Sequence, residues 1–253
     1  DNFTNTILST YGTEFYRKAT HGEGFIRGFF NVIKSATTGT GAALERLFIT
    51  GVSPVTMDDV TSGFNIGTNI TNDSWFNDLV GFSENELREM LEYYKEQGVL
   101  QESIDEIVAM MKPNYDNYCF SEDTLEQCMF NSDMALYFLK SFVLHHKKPK
   151  EIVDPNIRTD FNKLAYLIKL DHGLGENFSV IKEIAEQGEI ITDIVTHFSA
   201  LEMTDPSNFK SLLFYFGLLS IKGVDMVGRP ILHVPNLVVR EQLFNFLIQG
   251  YIK

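Results

Sequence analysis

The run from Arg46 to Asn65, RLFITGVSPVTMDDVTSGFN, constrains the fold more than any other stretch of the chain. Leu47, Phe48 and Ile49 form a short apolar burst of strand-favouring residues, halted by Thr50-Gly51. A run of this kind between turn residues predicts a buried parallel strand. The loop after it is dense in small polar residues (Ser53, Thr56, Asp58, Asp59, Thr61, Ser62) and is broken by Pro54 and Gly63. In open α/β sheets ligands sit beyond the carboxyl ends of strands, so this handover reads as the rim of a site. An ordinary strand followed by a polar surface loop fits the same pattern, and periodicity does not separate the two.

Helical spacing governs most of the remainder. Ile7, Leu8, Tyr11 and Phe15 recur on one face, as do Phe25, Phe29, Phe30 and Ile33, with His21 to Gly24 between the two groups. The TTGTG run at Thr37 to Gly41 lacks the Lys-Ser/Thr of a phosphate loop and does not lead from strand into helix, so it reads as a plain loop. Ser83-Glu84-Asn85-Glu86 is a capping box, and Leu87, Met90, Leu91 and Tyr94 continue it as a helix ended by Gly98. Ile104, Ile107, Val108 and Met111 predict a second helix stopped by Pro113, which makes a helical hairpin. Asn114 to Phe130 is irregular or weakly stranded; Tyr115, Tyr118 and Phe120 there fit a local core plug better than a base-stacking platform. Met134 to Val143 is helical, and His145 to Lys150 reads as a solvated connector.

The last hundred or so residues predict helices at Phe161 to Leu170 and Ser179 to Gln187, a strand within Glu189 to Val195, and a helix opened by Asp205-Pro206-Ser207. A hairpin of Leu218 to Ile221 with Pro230 to Val234 follows, then a helix from about Asn236. That order is compatible with a winged-helix-like unit. Arg229, His233 and Arg240 would offer it little positive charge, so a protein partner is preferred over DNA.

The segments FITGVSPVTMDDVTSGFNIGTNIT, WFNDLVGFSENELREML, Asn114 to Leu139 and Gly228 to Leu247 together resemble a bacterial family described as predicted AAA-ATPase-like proteins. Its members often carry a PD-(D/E)-x-K nuclease-like domain at the C-terminus. The resemblance implies a mainly α fold with small β: a remnant of a P-loop-type α/β domain over residues 1–70, an α-helical lid over 71–145, and the winged-helix-like unit over 150–253. It also implies ATP and Mg²⁺ for an intact parent protein. On it, Asp1-Asn2-Phe3 resembles the tail of a Walker B-type segment, which places Asp1 beside the metal-binding acid. Thr50 takes the place of a residue that orients the attacking water, with Ser53 the next candidate. Arg46 reaches toward a neighbouring nucleotide on this reading, a plain surface arginine being the simpler alternative. For the Asp58-Asp59 pair, charge at a helix N-terminus is preferred over Mg²⁺ binding, and Thr61 to Asn65 is expected to couple nucleotide state to the lid.

No G-x-x-x-x-G-K-[ST] motif occurs anywhere, nor any [DE]-x-K element. The chain is therefore expected to be a fragment that does not hydrolyse ATP by itself. Its expected partners are a phosphate-loop segment on one side and a nuclease-like domain on the other. No G-x-S-x-G elbow or H-E-x-x-H pair is present, which removes those hydrolase classes. A net charge of −13 argues against broad contact with a phosphate backbone. Two cysteines, Cys119 and Cys128, make neither a zinc pattern nor a disulfide framework. With no apolar run long enough to span a bilayer, no membrane contact and a cytoplasmic location are expected.

Overall fold

Helices dominate the computed structural model, which describes residues 2–51, 59, 67–154 and 176–251. The chain divides into two compact units, residues 1–69 with 193–216 and residues 70–192 with 217–253. Among the described residues no helix is long and apolar enough to cross a membrane.

The first unit begins with α1 (Asn2–Thr20), kinked at Gly12, and α2 (Phe25–Thr37). Both follow the predicted helical spacing, with the break at His21 to Gly24. The later segment of this unit carries a 3-10 turn (Ala200–Glu202) and the helix Pro206–Tyr215, begun by Asp205, whose carboxylate accepts from the Ser207 amide at 3.0 Å. Ser211, fully buried on that helix, accepts from the Val195 amide at 2.9 Å, and the Tyr215 hydroxyl donates to the Val195 carbonyl at 3.1 Å. These bonds hold the irregular stretch after Asp193 against the helix.

The structure corrects the strand predicted at Leu47 to Ile49. These residues form no strand and stand exposed, Phe48 at 64%. A central strand needs ladder partners on its edges, and the described residues of this unit include no strand to provide them.

The second unit is built on a larger apolar core. Its helices are α3 (Glu84–Glu96), α4 (Ile104–Tyr115), α5 (Ser132–His145), α6 (Glu176–Gln187) and, past the helix Pro206–Tyr215 of the first unit (α7), α8 (Leu237–Tyr251). The capping box forms as read: Ser83 Oγ accepts from the Glu86 amide and the Glu86 carboxylate accepts from the Ser83 amide at 2.8 Å. Gly98, at φ 71°, follows the C-cap of α3 and allows the left-handed turn that ends it. Leu87 and Leu91 of α3 pack with Ile107, Met111 and Tyr115 of α4 and Phe138 and Phe142 of α5. Beneath this hairpin, Gly81 lies so close to Phe130 that a Cβ would meet the Phe130 carbonyl at 2.8 Å, which permits the bridge between Phe82 and Phe130.

The stop predicted at Pro113 is also corrected, since α4 runs on to Tyr115 with the proline inside its last turn. Proline removes one intrahelical donor, and this late in the helix the loss does not break it. Tyr115 is buried and its hydroxyl donates to the Ile152 carbonyl at 2.8 Å, so the last turn is tied to the core. Burial of Tyr115 and Tyr118 agrees with the core-plug reading.

The unit's sheet is antiparallel with order β1-β3-β2, from β1 (Glu189–Ile191), β2 (Ser220–Val224) and β3 (Pro230–His233). The predicted hairpin is β2-β3. Of the longer strand predicted within Glu189 to Val195, only the first three residues pair, Ile190 lying opposite Leu232. α8 packs against α6 and α4, and the Asn236 side chain caps it by accepting from the Val239 amide at 3.2 Å. The helix predicted at Phe161 to Leu170 and the segment Thr61 to Asn65 lie outside the described residues.

Candidate functional site

Beyond the Gly12 kink, α1 buries Tyr16, Ala19 and Thr20 on one face. The Tyr16 hydroxyl donates to Oδ2 of Asp59, a buried carboxylate, at 2.7 Å. From 140 residues further along the chain, Ser199 Oγ donates to Asp59 Oδ1 at 2.6 Å, and the Ala200 amide donates to Oδ2 at 2.8 Å. An ionised carboxylate only accepts, and hydrogen bonds to it are shorter and stronger than neutral ones. One side chain thereby joins α1 to the start of the 3-10 turn.

The turn is itself prepared for this. Ser199 Oγ also accepts from the Leu201 amide at 3.1 Å, and the Glu202 carboxylate accepts from the Ser199 amide, which makes a second capping box. Asp59 adds its negative charge where the first amides of the turn are otherwise short of acceptors. Of the Asp58-Asp59 pair read as a helix-end charge, Asp58 lies outside the described residues, and Asp59 accepts from an amide of a turn remote in sequence.

His21 stands at the open side of the cluster, its side chain 50% exposed, with Nε2 3.8 Å from Asp59 Oδ1. The Thr20 hydroxyl donates to the Tyr16 carbonyl at 2.9 Å, so it accepts from His21 Nδ1 at 2.8 Å. That network assigns the neutral ring its proton on Nδ1 and leaves the Nε2 lone pair facing the carboxylate. Only a protonated ring makes that approach an ion pair. The cluster can therefore fix α1 and the 3-10 turn to one carboxylate. It is not arranged for Mg²⁺, because three donors already point at the oxygens a metal would need. Among the described residues no group of three or more His, Cys, Asp or Glu is placed to hold a metal ion.

Of the residues singled out from the sequence, Asp1 and Ser53 lie outside the described residues. Thr50 and Arg46 are exposed in the extended stretch that follows α2. The structure does not join them to the Asp59 cluster, and the described residues form no nucleotide site around them. Sequence reasoning missed Tyr16, His21, Ser199 and Ala200. The doubled acid at Asp58-Asp59 was the available signal, but nothing local to it names partners so far along the chain.

The three basic residues considered for DNA contact sit in the second unit. Arg229 is held by Asp225, with Nη2 at 2.8 Å and Nε at 2.9 Å from Oδ2, within a tip where the same carboxylate accepts from the Val227 and Arg229 amides. Those backbone amides, first, and the Arg229 side chain hold Asp225 below the usual carboxylate range. Burial, and then Lys222, push the His233 imidazole down, which favours its neutral form. Arg240 lies over the Phe244 ring at 5.8 Å. The hairpin tip exposes Met226 and Val227, so its outermost surface is apolar.

Neither the curated proteins nor the solved structures contain a match to this chain. The family model described as predicted AAA-ATPase does match, over residues 1–61, the stretch that holds Tyr16, His21, Thr50 and Asp59.

Proposed function

We propose that this chain supplies the sensor and helical-lid parts of an AAA-type ATPase, working with a phosphate-loop segment that binds ATP and Mg²⁺. The observation that carries the reading is the family match over residues 1–61, a stretch without a phosphate-binding lysine motif of its own. In this reading Thr50 orients the attacking water, Ser53 and Arg46 face the nucleotide, and Asp1 lies beside the metal-binding acid. Asp59 ties α1 to the Ser199 turn, so a displacement that reaches Asp59 reaches both. Phe25, Phe29 and Val32 present an exposed apolar face at helical spacing on α2, and Leu47 to Ile49 are exposed as well. Apolar surface of that extent usually marks a contact face, which supports a partner segment packing there. The α3–α4 hairpin is the lid.

Calorimetric titration of ATP and a turnover assay test this on two proteins, the present chain and the product of its full gene. The present chain is expected to bind no ATP, while a gene product with a Gly-Lys-Ser/Thr loop binds and hydrolyses it. Thr50→Ala in that product is expected to lower turnover by about tenfold or more with binding retained. A gene product that binds no nucleotide, or an unchanged Thr50→Ala rate, would reject the reading.

One observation favours a second reading, a non-catalytic winged-helix adaptor. Within the second unit a helix precedes β1, another follows β3, and the sheet order is β1-β3-β2. The paired Arg229, the apolar hairpin tip and the net charge of −13 support a protein rather than DNA as its partner. A DNA mobility shift at physiological salt that is lost on replacing Arg229 and Arg240 would reverse that preference.

A further inference from the structure

Tyr118 and Met129 pair antiparallel and exchange both backbone hydrogen bonds, Tyr118 N to Met129 O at 3.1 Å and Met129 N to Tyr118 O at 2.8 Å. In such a pairing the next two residues inward face each other without backbone bonds, their Cα atoms about 4.5 Å apart and their side chains close. Those two residues are Cys119 and Cys128. A disulfide spans Cα separations of about 4.4–6.8 Å, so the register places both sulfurs within bonding reach.

Both cysteines are free, Cys119 buried and Cys128 partly exposed. Cys119 Sγ donates to the Ser121 carbonyl at 3.1 Å and Cys128 Sγ to the Leu125 carbonyl at 3.4 Å, and the two thiols interact with each other. The backbone on either side is already fixed. Asn77 donates to the Gln127 carbonyl at 2.9 Å and accepts from the Phe120 amide at 3.1 Å, while Ser220 Oγ accepts from the Cys119 amide at 2.7 Å.

We propose that Cys119 and Cys128 are a reversible dithiol, a modification site that closes to an intramolecular disulfide under a hydroperoxide and clamps the loop between them. The Cys128 thiol beside it, against the effect of burial, holds the Cys119 thiol down to about 7, and the same neighbour pushes Cys128 up. One proton leaves the pair readily and the second is retained, so the pair presents a single thiolate near neutral pH. That thiolate attacks a peroxide oxygen, the O–O bond breaks and hydroxide leaves, which gives a sulfenic acid. The second thiol gives its proton to that hydroxide and attacks the sulfenic sulfur. The S–S bond forms, the S–O bond breaks and hydroxide leaves. The two sulfurs are oxidised, and the peroxide is reduced to one water and one hydroxide.

Because the chain has only two cysteines, intact mass reads the outcome directly. The folded chain is treated with hydrogen peroxide, quenched with N-ethylmaleimide and weighed, with dithiothreitol reduction as the reverse step. The expected product is lighter by two hydrogen atoms and takes no maleimide, dithiothreitol restores two maleimide adducts, and the oxidised form melts several degrees higher. Cys128→Ser, at the more exposed position, is expected to gain oxygen instead and to show no change in melting after treatment. Two maleimide adducts on the peroxide-treated chain, oxygen atoms on two unlinked cysteines, or disulfides only between separate molecules would each overturn the proposal.

Discussion

A buried carboxylate with three donors is stable only while the donors remain, and this makes Asp59 the residue most sensitive to small changes around it. Tyr16 gives it one phenolic hydrogen bond at 2.7 Å, and the ring has no exposed surface. Tyr16→Phe keeps the ring packing and removes only that donor. Hydrogen bonds to charged groups contribute about 1.5–3 kcal/mol, so urea unfolding of the variant is expected to show a loss of that size. Asp59→Ala is expected to cost more, about 3 kcal/mol or above, because it removes the one acceptor that Tyr16, Ser199 and the Ala200 amide share. An unchanged urea midpoint for Tyr16→Phe would mean that the phenol contributes packing alone.

Individual elements respond to pH where a titrating group is enclosed by them. His233 ends β3, pairs with Glu189 and Ser220 across the sheet, and has its imidazole pushed down by burial and then by Lys222. The unfolded ring titrates at about 6.5, above the folded one, so between the two values the unfolded chain binds more protons. Stability then falls as pH falls through that window and is fully present above it. Melting temperature is expected to decline as pH falls below about 6.5, where the unfolded ring takes its proton, with the slope reduced in His233→Gln. A flat profile in the parent chain, or an equal slope in the variant, would place the dependence elsewhere. The elements themselves were unequally legible. The capping box at Ser83, the cap at Asp205 and the hairpin around Gly228 are local, and each reads correctly because its bonds join residues within a few positions. Leu47 to Ile49 misled because strand propensity says nothing about whether a ladder exists beside the run. Pro113 misled because its cost depends on how far it lies from the helix end. The Asp59 cluster was half legible: the paired acids drew notice as a helix cap, but Tyr16 and Ser199 join them only through the folded chain.

At the scale of the whole molecule, both units bury apolar side chains, Phe209, Leu212 and Leu213 among those of the first, which adds a buried polar cluster to them. The second has a continuous apolar core running from Leu87 through Met111 and Phe138 to Val238. In the first, α1 and the Ser199 turn are joined through the polar bonds of Asp59, while Phe25, Phe29 and Val32 of α2 remain exposed. Apolar burial contributes about 25 cal/mol per Å², whereas a polar cluster of this size rests on a few bonds that each fail with one residue. Compact units of one chain can open at free energies of their own, below that of global unfolding. Native-state hydrogen exchange on Asp59→Asn is therefore expected to lower protection in residues 13–20 and 199–215, because the amide presents two donors where three donors already converge. Protection across α3, α4 and α5 is expected to stay within error of the parent chain. If instead protection fell equally in both units, they would form one cooperative structure, and the separate loss of the first unit would be excluded.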